Sequence, residues 1–203
     1  MSFQSVFRTK GLGGPTVAHH TSEILVVPAT GPVSKWTQKL EKLSALPSRL
    51  APEALEQFKR LAARETEAAP FKALSLNFND GSSLQIVFVS PKISTFELHT
   101  GLRKSLEGCF ASSDEGARNL VLNLKSLDAK LSARVVPALA ALSEMAGWKP
   151  VSYGKKAQEA QKSAAKMQAR ELHWLSSLAP KALETTVHQG TAMGRANNLI
   201  RTL

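Results

Sequence analysis

Lys72-Ala-Leu-Ser-Leu-Asn-Phe-Asn-Asp-Gly-Ser-Ser-Leu-Gln-Ile-Val-Phe-Val-Ser90 is the clearest strand pair in this chain of 203 residues. Its middle, Asn79-Asp80-Gly81, carries residue types that tolerate the positive φ of a tight reversal. Before the turn, Leu74, Leu76 and Phe78 alternate with polar residues, which predicts a strand with one buried face. After it, residues 84–89 are almost continuously apolar, which predicts a strand buried on both faces near the middle of a sheet.

Strand and helix patterns alternate along the rest of the chain. The predicted strands are 24–29, 119–124, a brief edge strand at 151–153, and 171–178; the predicted helices are 34–46, 52–67, 95–110, 128–147 and 181–203. This order predicts an α/β sandwich, in which a mixed sheet of about six strands has helices on both faces.

Glycine and proline mark the domain boundaries. Residues 1–20, with Gly11, Gly13, Gly14 and Pro15, are expected to form a mobile N-terminal arm. Residues 21–180 then form the α/β domain, and residues 181–203 form a C-terminal connecting helix.

Two residues inside the predicted helices need an explanation. Cys109 continues a stripe of leucines at helical spacing, so we expect it to face the core rather than to act as a nucleophile. Pro137 lies within an apolar helical pattern and predicts either that the regular helix starts near it or that the helix is kinked.

The charge is concentrated near the C-terminus. The formal net charge is +10, and residues 147–203 hold nine Lys and Arg against three Asp and Glu. A helix over residues 155–170 would carry a basic side, which is our candidate nucleic-acid contact: Lys155, Lys156, Lys162, Lys166 and Arg170. No aromatic residue is interleaved for base stacking, so the alternative is a solvated surface helix or loop, and any DNA binding should be weak and salt-sensitive.

Targeting signals are absent from the sequence pattern. No run of 18 apolar residues is present, and the first residues lack the apolar core of a signal peptide. Cys109 is the only cysteine, which excludes an internal disulfide and favours a reducing compartment. We therefore expect a cytoplasmic protein that makes no membrane contact.

The C-terminal helix carries an apolar stripe that runs to its last residue. The stripe is our candidate interdomain contact: Ala192, Ala196, Leu199, Ile200 and Leu203. Gly190 and Gly194 on the same helix permit close packing, at some cost in helix stability. A helix that is amphipathic to its end is expected to continue into another structure.

Gly194-Arg-Ala-Asn-Asn-Leu-Ile-Arg-Thr-Leu203 resembles the helix that joins the N-terminal and catalytic domains of the leucyl aminopeptidase (cytosol aminopeptidase) family, where the pattern is Ala-x-Asn-Leu-x-Arg-x-Leu. The resemblance implies a macro-domain-like N-terminal domain. It also implies a parent hydrolase, a homo-hexamer that holds two divalent metals, manganese or zinc, in its catalytic domain. The chain ends where that family's Pro-Asn loop would begin, and the family's catalytic signature, Asn-Thr-Asp-x-Glu-Gly-Arg-Leu, is not in it.

The carboxylates of the chain agree with a non-catalytic role. A two-metal hydrolase needs several convergent carboxylates. The three aspartates here are assigned to a turn, a loop and a helix start: Asp80, Asp114 and Asp128. We therefore predict no catalytic residue, no metal ligand and no cofactor within this chain.

Two functions follow from these observations. The first is the non-catalytic N-terminal domain of a metal-dependent leucyl aminopeptidase, whose partner is its own catalytic domain and which shapes access to the active site and assembly. The alternative is a stand-alone basic macro-like module that binds nucleic acid or ADP-ribose.

Overall fold

The computed structural model describes residues 3–8, 21–31, 56, 60, 70–77, 83–111, 119–147 and 170–200. The strands of this part are β1 (Phe3–Arg8), β2 (Thr21–Pro28), β3 (Phe71–Asn77), β4 (Ser83–Val89), β5 (Asn119–Leu124) and β6 (Arg170–Ser176). The helices with defined bounds are α1 (Thr95–Ala111), α2 (Ala129–Gly147) and α3 (Pro180–Ile200).

The six strands form one mixed sheet in the order β1-β6-β5-β2-β4-β3. Strands β3 and β4 pair antiparallel, with Leu74 opposite Ile86, and every other neighbouring pair is parallel. The predicted hairpin is thus confirmed in its strands, whereas its turn lies outside the described residues. Strand β4 is buried along almost its whole length, as predicted, although it lies second from the edge of the sheet.

The N-terminal residues differ from the sequence-based expectation. Residues 3–8, which we assigned to a mobile arm, form the edge strand β1 and pair in parallel with β6. Phe7 lies opposite Trp174 and packs against the core, so burial of an aromatic ring holds the strand in place. The rest of the predicted arm, residues 9–20, lies outside the described residues.

The main core lies between one face of the sheet and the three helices. Side chains from neighbouring strands form two rows across that face. One row consists of Val87, Val26, Leu124 and Ser176, and the other includes Ile24, Leu122 and Trp174. Leucines of α1, valines of α2 and Leu183 of α3 complete this hydrophobic cluster. We call this side of the sheet the helix face.

Helix α1 begins and packs as its sequence predicts. Ser94 caps it: the Ser94 hydroxyl accepts a hydrogen bond from the Glu97 amide at 3.2 Å and donates one to the Glu97 carboxylate at 2.7 Å. The leucine stripe of the helix is buried, and Cys109 is buried with it, which confirms that Cys109 faces the core.

Helix α2 begins eight residues before Pro137 rather than near it. Asp128 caps this earlier start, since its carboxylate accepts the Leu131 amide at 2.7 Å. A proline inside a helix costs about 3 kcal/mol. Burial of Val135, Val136 and Leu139 around it offsets that cost, because each such side chain contributes about 1.5–3 kcal/mol.

Helices α2 and α3 approach each other at two glycines. A Cβ atom added at Gly194 would lie 2.5 Å from the carbonyl oxygen of Ala141, and one added at Gly190 would overlap the backbone at Pro137. Neither position has room for a methyl group. The glycines are therefore what allows the two helices to pack through their backbones.

The other face of the sheet is also buried. Leu25, Ile86 and Phe88 project from it and are inaccessible to solvent. The helices predicted at 34–46 and 52–67 lie outside the described residues, apart from Glu56 and Arg60, which are helical. The strand predicted at 151–153 also lies outside them. The observed sheet and helices form a mixed α/β sandwich, which confirms the predicted fold class.

The glycine contact can be tested with a matched pair of substitutions. Gly194→Ala should lower the free energy of unfolding by about 1–3 kcal/mol, because the added methyl group overpacks against α2. Gly108→Ala on α1 should instead raise it by up to about 1 kcal/mol, since that Cβ would meet only Gln85 Nε2, at 3.7 Å, and alanine favours helix. Urea denaturation of both variants measures the difference. Equal effects would contradict the proposed role of Gly194.

Candidate functional site

Helix α3 presents two different faces. Its inner face packs on α2 and consists of Leu183, Val187, Gly190, Gly194 and Asn198. Its opposite side carries exposed apolar side chains, which we call the outer stripe: Ala192, Met193, Ala196, Leu199 and Ile200. Four of the five residues predicted as an interdomain contact belong to this stripe, and the fifth, Leu203, lies outside the described residues.

The exposure of the outer stripe is large for such side chains. Met193 is 58% exposed, Leu199 is 67% exposed and Ile200 is 70% exposed. Contiguous exposed apolar residues on a monomer commonly mark an interaction surface. The stripe is therefore the candidate contact surface of this domain.

Polar contacts fix the end of α3 that carries the stripe. Asn198 Nδ2 donates a hydrogen bond to the Glu144 carbonyl at 3.2 Å. The guanidinium of Arg195 lies 3.6 Å from the Glu144 carboxylate. Both contacts reach the last turns of α2, so the outer stripe is held on a rigid element.

The predicted basic helix is not described by the structure. Lys155, Lys156, Lys162 and Lys166 lie outside the described residues. Arg170, which we placed at the end of that helix, is instead the first residue of strand β6. The candidate nucleic-acid contact therefore remains a prediction for the four lysines, and Arg170 does not belong to a helix with them.

Sequence analysis did not identify a polar cluster on the face of the sheet opposite the helix face. Asn123 Nδ2 donates a hydrogen bond to Glu23 Oε1 at 2.9 Å, and both side chains are buried. On strand β6, His173 Nε2 lies 2.9 Å from Glu171 Oε2. The sequence did not reveal the Glu23 contact because its partner, Asn123, lies 100 residues later in the chain.

This cluster does not form a catalytic dyad. Glu23 and His173 lie in one row across the sheet, and Val121 of strand β5 stands between them. Two strand spacings separate the acid from the base by about 9–10 Å, which exceeds hydrogen-bonding reach. The Glu23 and Asn123 pair instead satisfies two polar groups inside an apolar layer.

Cys109 is not a reactive nucleophile. Burial in the core raises the pKa of its thiol to about 11. The thiol is therefore protonated at neutral pH, whereas nucleophilic attack needs the thiolate.

Metal-ligating side chains are dispersed in the part of the chain that the structure describes. No three His, Cys, Asp or Glu residues there are grouped so that they could hold a metal ion. These residues do not fit the metal pair that the family resemblance implies. Within the same residues, no helix is long and apolar enough to cross a membrane.

Comparison with known proteins gives limited similarity. No protein-family model matches the sequence, and no curated protein sequence matches it significantly. Among solved structures, the bottromycin maturation enzyme BotP in complex with Mn matches with 15% sequence identity and a TM-score of 0.48. The match covers 92% of this chain and 32% of that chain, so this chain spans about a third of the length of BotP. Similarity at this level does not transfer an activity.

The buried carboxyl group of Glu23 should make the stability depend on pH. Burial raises the pKa of Glu23 above its ordinary value of 4.5, and the hydrogen bond from Asn123 opposes only part of that effect. The folded state therefore holds the proton more tightly than the unfolded state. Stability then falls as pH rises from 4.5 towards the raised pKa, and it stays lower above that pKa.

Glu23→Gln should remove this dependence while keeping an acceptor for Asn123. We expect its free energy of unfolding to exceed that of the wild type by roughly 1 kcal/mol at neutral pH, with a smaller difference near pH 4. Urea denaturation at the two pH values measures this, and Glu184→Gln on the exposed surface of α3 controls for the loss of one charge. A difference that does not change with pH would contradict the assignment.

Proposed function

We propose that this chain is the non-catalytic N-terminal domain of a metal-dependent leucyl aminopeptidase. The observation that carries the proposal is the exposure of Leu199 and Ile200 on a helix that α2 holds in place. In this proposal the outer stripe of α3 packs against the catalytic domain of the same protein.

The energetics favour a covered stripe. Burying a side chain of leucine or isoleucine size contributes about 1.5–3 kcal/mol. Leu199, Ile200 and Met193 together therefore offer several kcal/mol to a partner. Because the stripe is presented by an ordered helix, little conformational entropy is lost when the partner binds.

The sequence resemblance supports the same surface. Ala196, Leu199 and Ile200 belong to the segment that resembles the connecting helix of leucyl aminopeptidases, and all three are exposed. A connecting helix has to satisfy two domains at once. The division of α3 into an inner face on α2 and an outer apolar face meets that requirement.

The proposal assigns the chemistry to the partner domain. In this proposal the metal pair, manganese or zinc, and all catalytic side chains belong to the catalytic domain. The present domain shapes access to the active site and contributes to assembly of a hexamer. Reading the gene beyond codon 203 tests this directly, since the Asn-Thr-Asp-x-Glu-Gly-Arg-Leu signature should follow Leu203 after a Pro-Asn loop.

The 203-residue chain should have no aminopeptidase activity of its own. We expect no release of the chromophore from a leucyl-anilide substrate when manganese or zinc is added, because the described residues hold no cluster of metal ligands. A leucyl aminopeptidase assayed in parallel is the positive control. Metal-dependent turnover that is lost when an Asp or Glu of this chain is replaced would contradict the proposal.

Substitutions in the outer stripe should affect association rather than folding. Leu199→Ser combined with Ile200→Ser should leave the melting temperature of the isolated chain almost unchanged and reduce any self-association, because both side chains are exposed. Calorimetry and sedimentation velocity measure the two effects.

A substitution on the inner face provides the matched control. Val187→Ser on the same helix should lower the melting temperature by several degrees, since Val187 is buried against the core. A drop of similar size in the double outer variant would place Leu199 and Ile200 in the core and would overturn the connecting-helix assignment.

A further inference from the structure

A cleft of about 470 Å³ opens between the edge strand β3 and helix α1. Phe71 and Ala73 of β3 and Gln85 of β4 form its floor, and one side of α1 forms its wall. Its volume is within the range of small-molecule binding pockets. Neither the resemblance to aminopeptidases nor the outer stripe of α3 involves this cleft.

One end of the cleft is aromatic. The ring of Phe71 lies against α1 where Gly101 has no side chain, and a Cβ atom there would lie 2.5 Å from Phe71 Cγ. Phe96, on the turn of α1 before Gly101, lines the same end and is 79% exposed. This end therefore offers apolar surface on two rings to a ligand.

The other end holds two buried polar side chains. Gln85 is only 7% exposed, and its Nε2 donates a hydrogen bond to Ser75 Oγ at 3.0 Å. Gln85 Oε1 and Ser105 Oγ are both buried without a hydrogen-bond partner among the described residues. Buried polar atoms in native proteins are nearly always hydrogen-bonded. Two such atoms in side chains that line one cleft indicate a polar partner at this end.

Both side chains can act as donors. Ser105 has a hydroxyl hydrogen to donate. If the Gln85 amide is turned by 180°, Oε1 accepts the Ser75 hydroxyl and Nε2 becomes a donor towards the cleft. A ligand group that only accepts hydrogen bonds fits this arrangement.

The charge at this end is positive. Lys104 lines the cleft and makes no ion pair with the part of the chain that the structure describes. Glu97 also lines the cleft, two turns earlier beside Phe96, and its carboxylate accepts the Ser94 hydroxyl, while Arg103, next to Lys104, lies 3.7 Å from the carboxylate of Glu107. An ammonium group beside two neutral donors favours an anion, and a carboxylate is acceptor-only when ionised.

The two ends define the length of the ligand. Phe96 and Lys104 are eight residues apart on α1, and the helix rise of 1.5 Å per residue separates them by about 12 Å. We propose that this cleft binds a small amphipathic carboxylate, with its apolar end between Phe71 and Phe96 and its carboxylate at Lys104. Ser105 and Gln85 then donate hydrogen bonds to the carboxylate oxygens.

The probe for this proposal is 4-phenylbutanoate, which carries a phenyl ring and a carboxylate at opposite ends of a flexible chain. Titration should shift the backbone amide NMR signals of Ala73, Gly101 and Ser105. Lys104→Gln should weaken binding about fivefold or more, because one charged hydrogen bond is lost. Lys181→Gln, an exposed lysine on α3, is the matched control and should bind as the wild type does.

Two further comparisons complete the test. The neutral analogue 4-phenylbutanamide should bind the wild-type protein weakly. Its affinity should be similar to that of 4-phenylbutanoate for the Lys104→Gln variant. Ala73→Phe, at an exposed position on the floor of the cleft, should abolish binding while the rest of the NMR spectrum shows a folded protein. The proposal is overturned if millimolar 4-phenylbutanoate leaves the three amide signals unchanged, or if Lys104→Gln binds it with wild-type affinity.

Discussion

The structure depends on four central strands that are buried on both faces. Strands β6, β5, β2 and β4 lie inside the sheet, so their backbone groups pair on both sides and most of their described side chains are buried. Ile24 and Leu25 are adjacent in the sequence and both inaccessible, although they point to opposite faces. Under this constraint a polar side chain is tolerated only with a partner, and Glu23 finds one in Asn123 on the neighbouring strand.

The two edges of the described sheet are less covered than its centre. Helix α1 packs against both β3 and β4, and Gly101 accommodates the ring of Phe71 of β3. Ala73 and Ser75 of β3, on the same face, are exposed. The cleft beside α1 lies over this uncovered part of the edge strand.

Most of the fold could be predicted from local patterns. The alternation in β3, the apolar run of β4 and the leucine stripe of α1 each specify their element within a few residues, and the structure confirms them. Strand β1 could not be predicted, because its six residues are stabilised by pairing with β6, more than 160 positions later. Helix α2 extends through Pro137 because burial of its apolar side chains outweighs the lost backbone hydrogen bond. That burial depends on tertiary packing, so the local sequence does not reveal it.

The candidate sites differ in the same way: a site set by a local pattern could be predicted, and a site that combines distant residues could not. The outer stripe of α3 could be predicted because helical periodicity alone brings its residues together. The cleft could not be predicted, since it combines Gln85 of a strand with Ser105 of a helix. The sequence around neither residue contains a motif that indicates a binding site. The polar pair of Glu23 and Asn123 joins residues 100 positions apart, and it becomes visible only when the strand register is known.

The segment that resembles the aminopeptidase connecting helix serves two separate physical requirements. Gly194 and Asn198 face α2, and any protein that packs this helix pair so closely would need residues of that size and hydrogen-bonding capacity there. Ala196, Leu199 and Ile200 instead lie on the exposed side of the helix. Under the proposed function, these three outward residues are the ones that would meet the catalytic domain, whereas the glycine and the asparagine are explained by packing inside the domain.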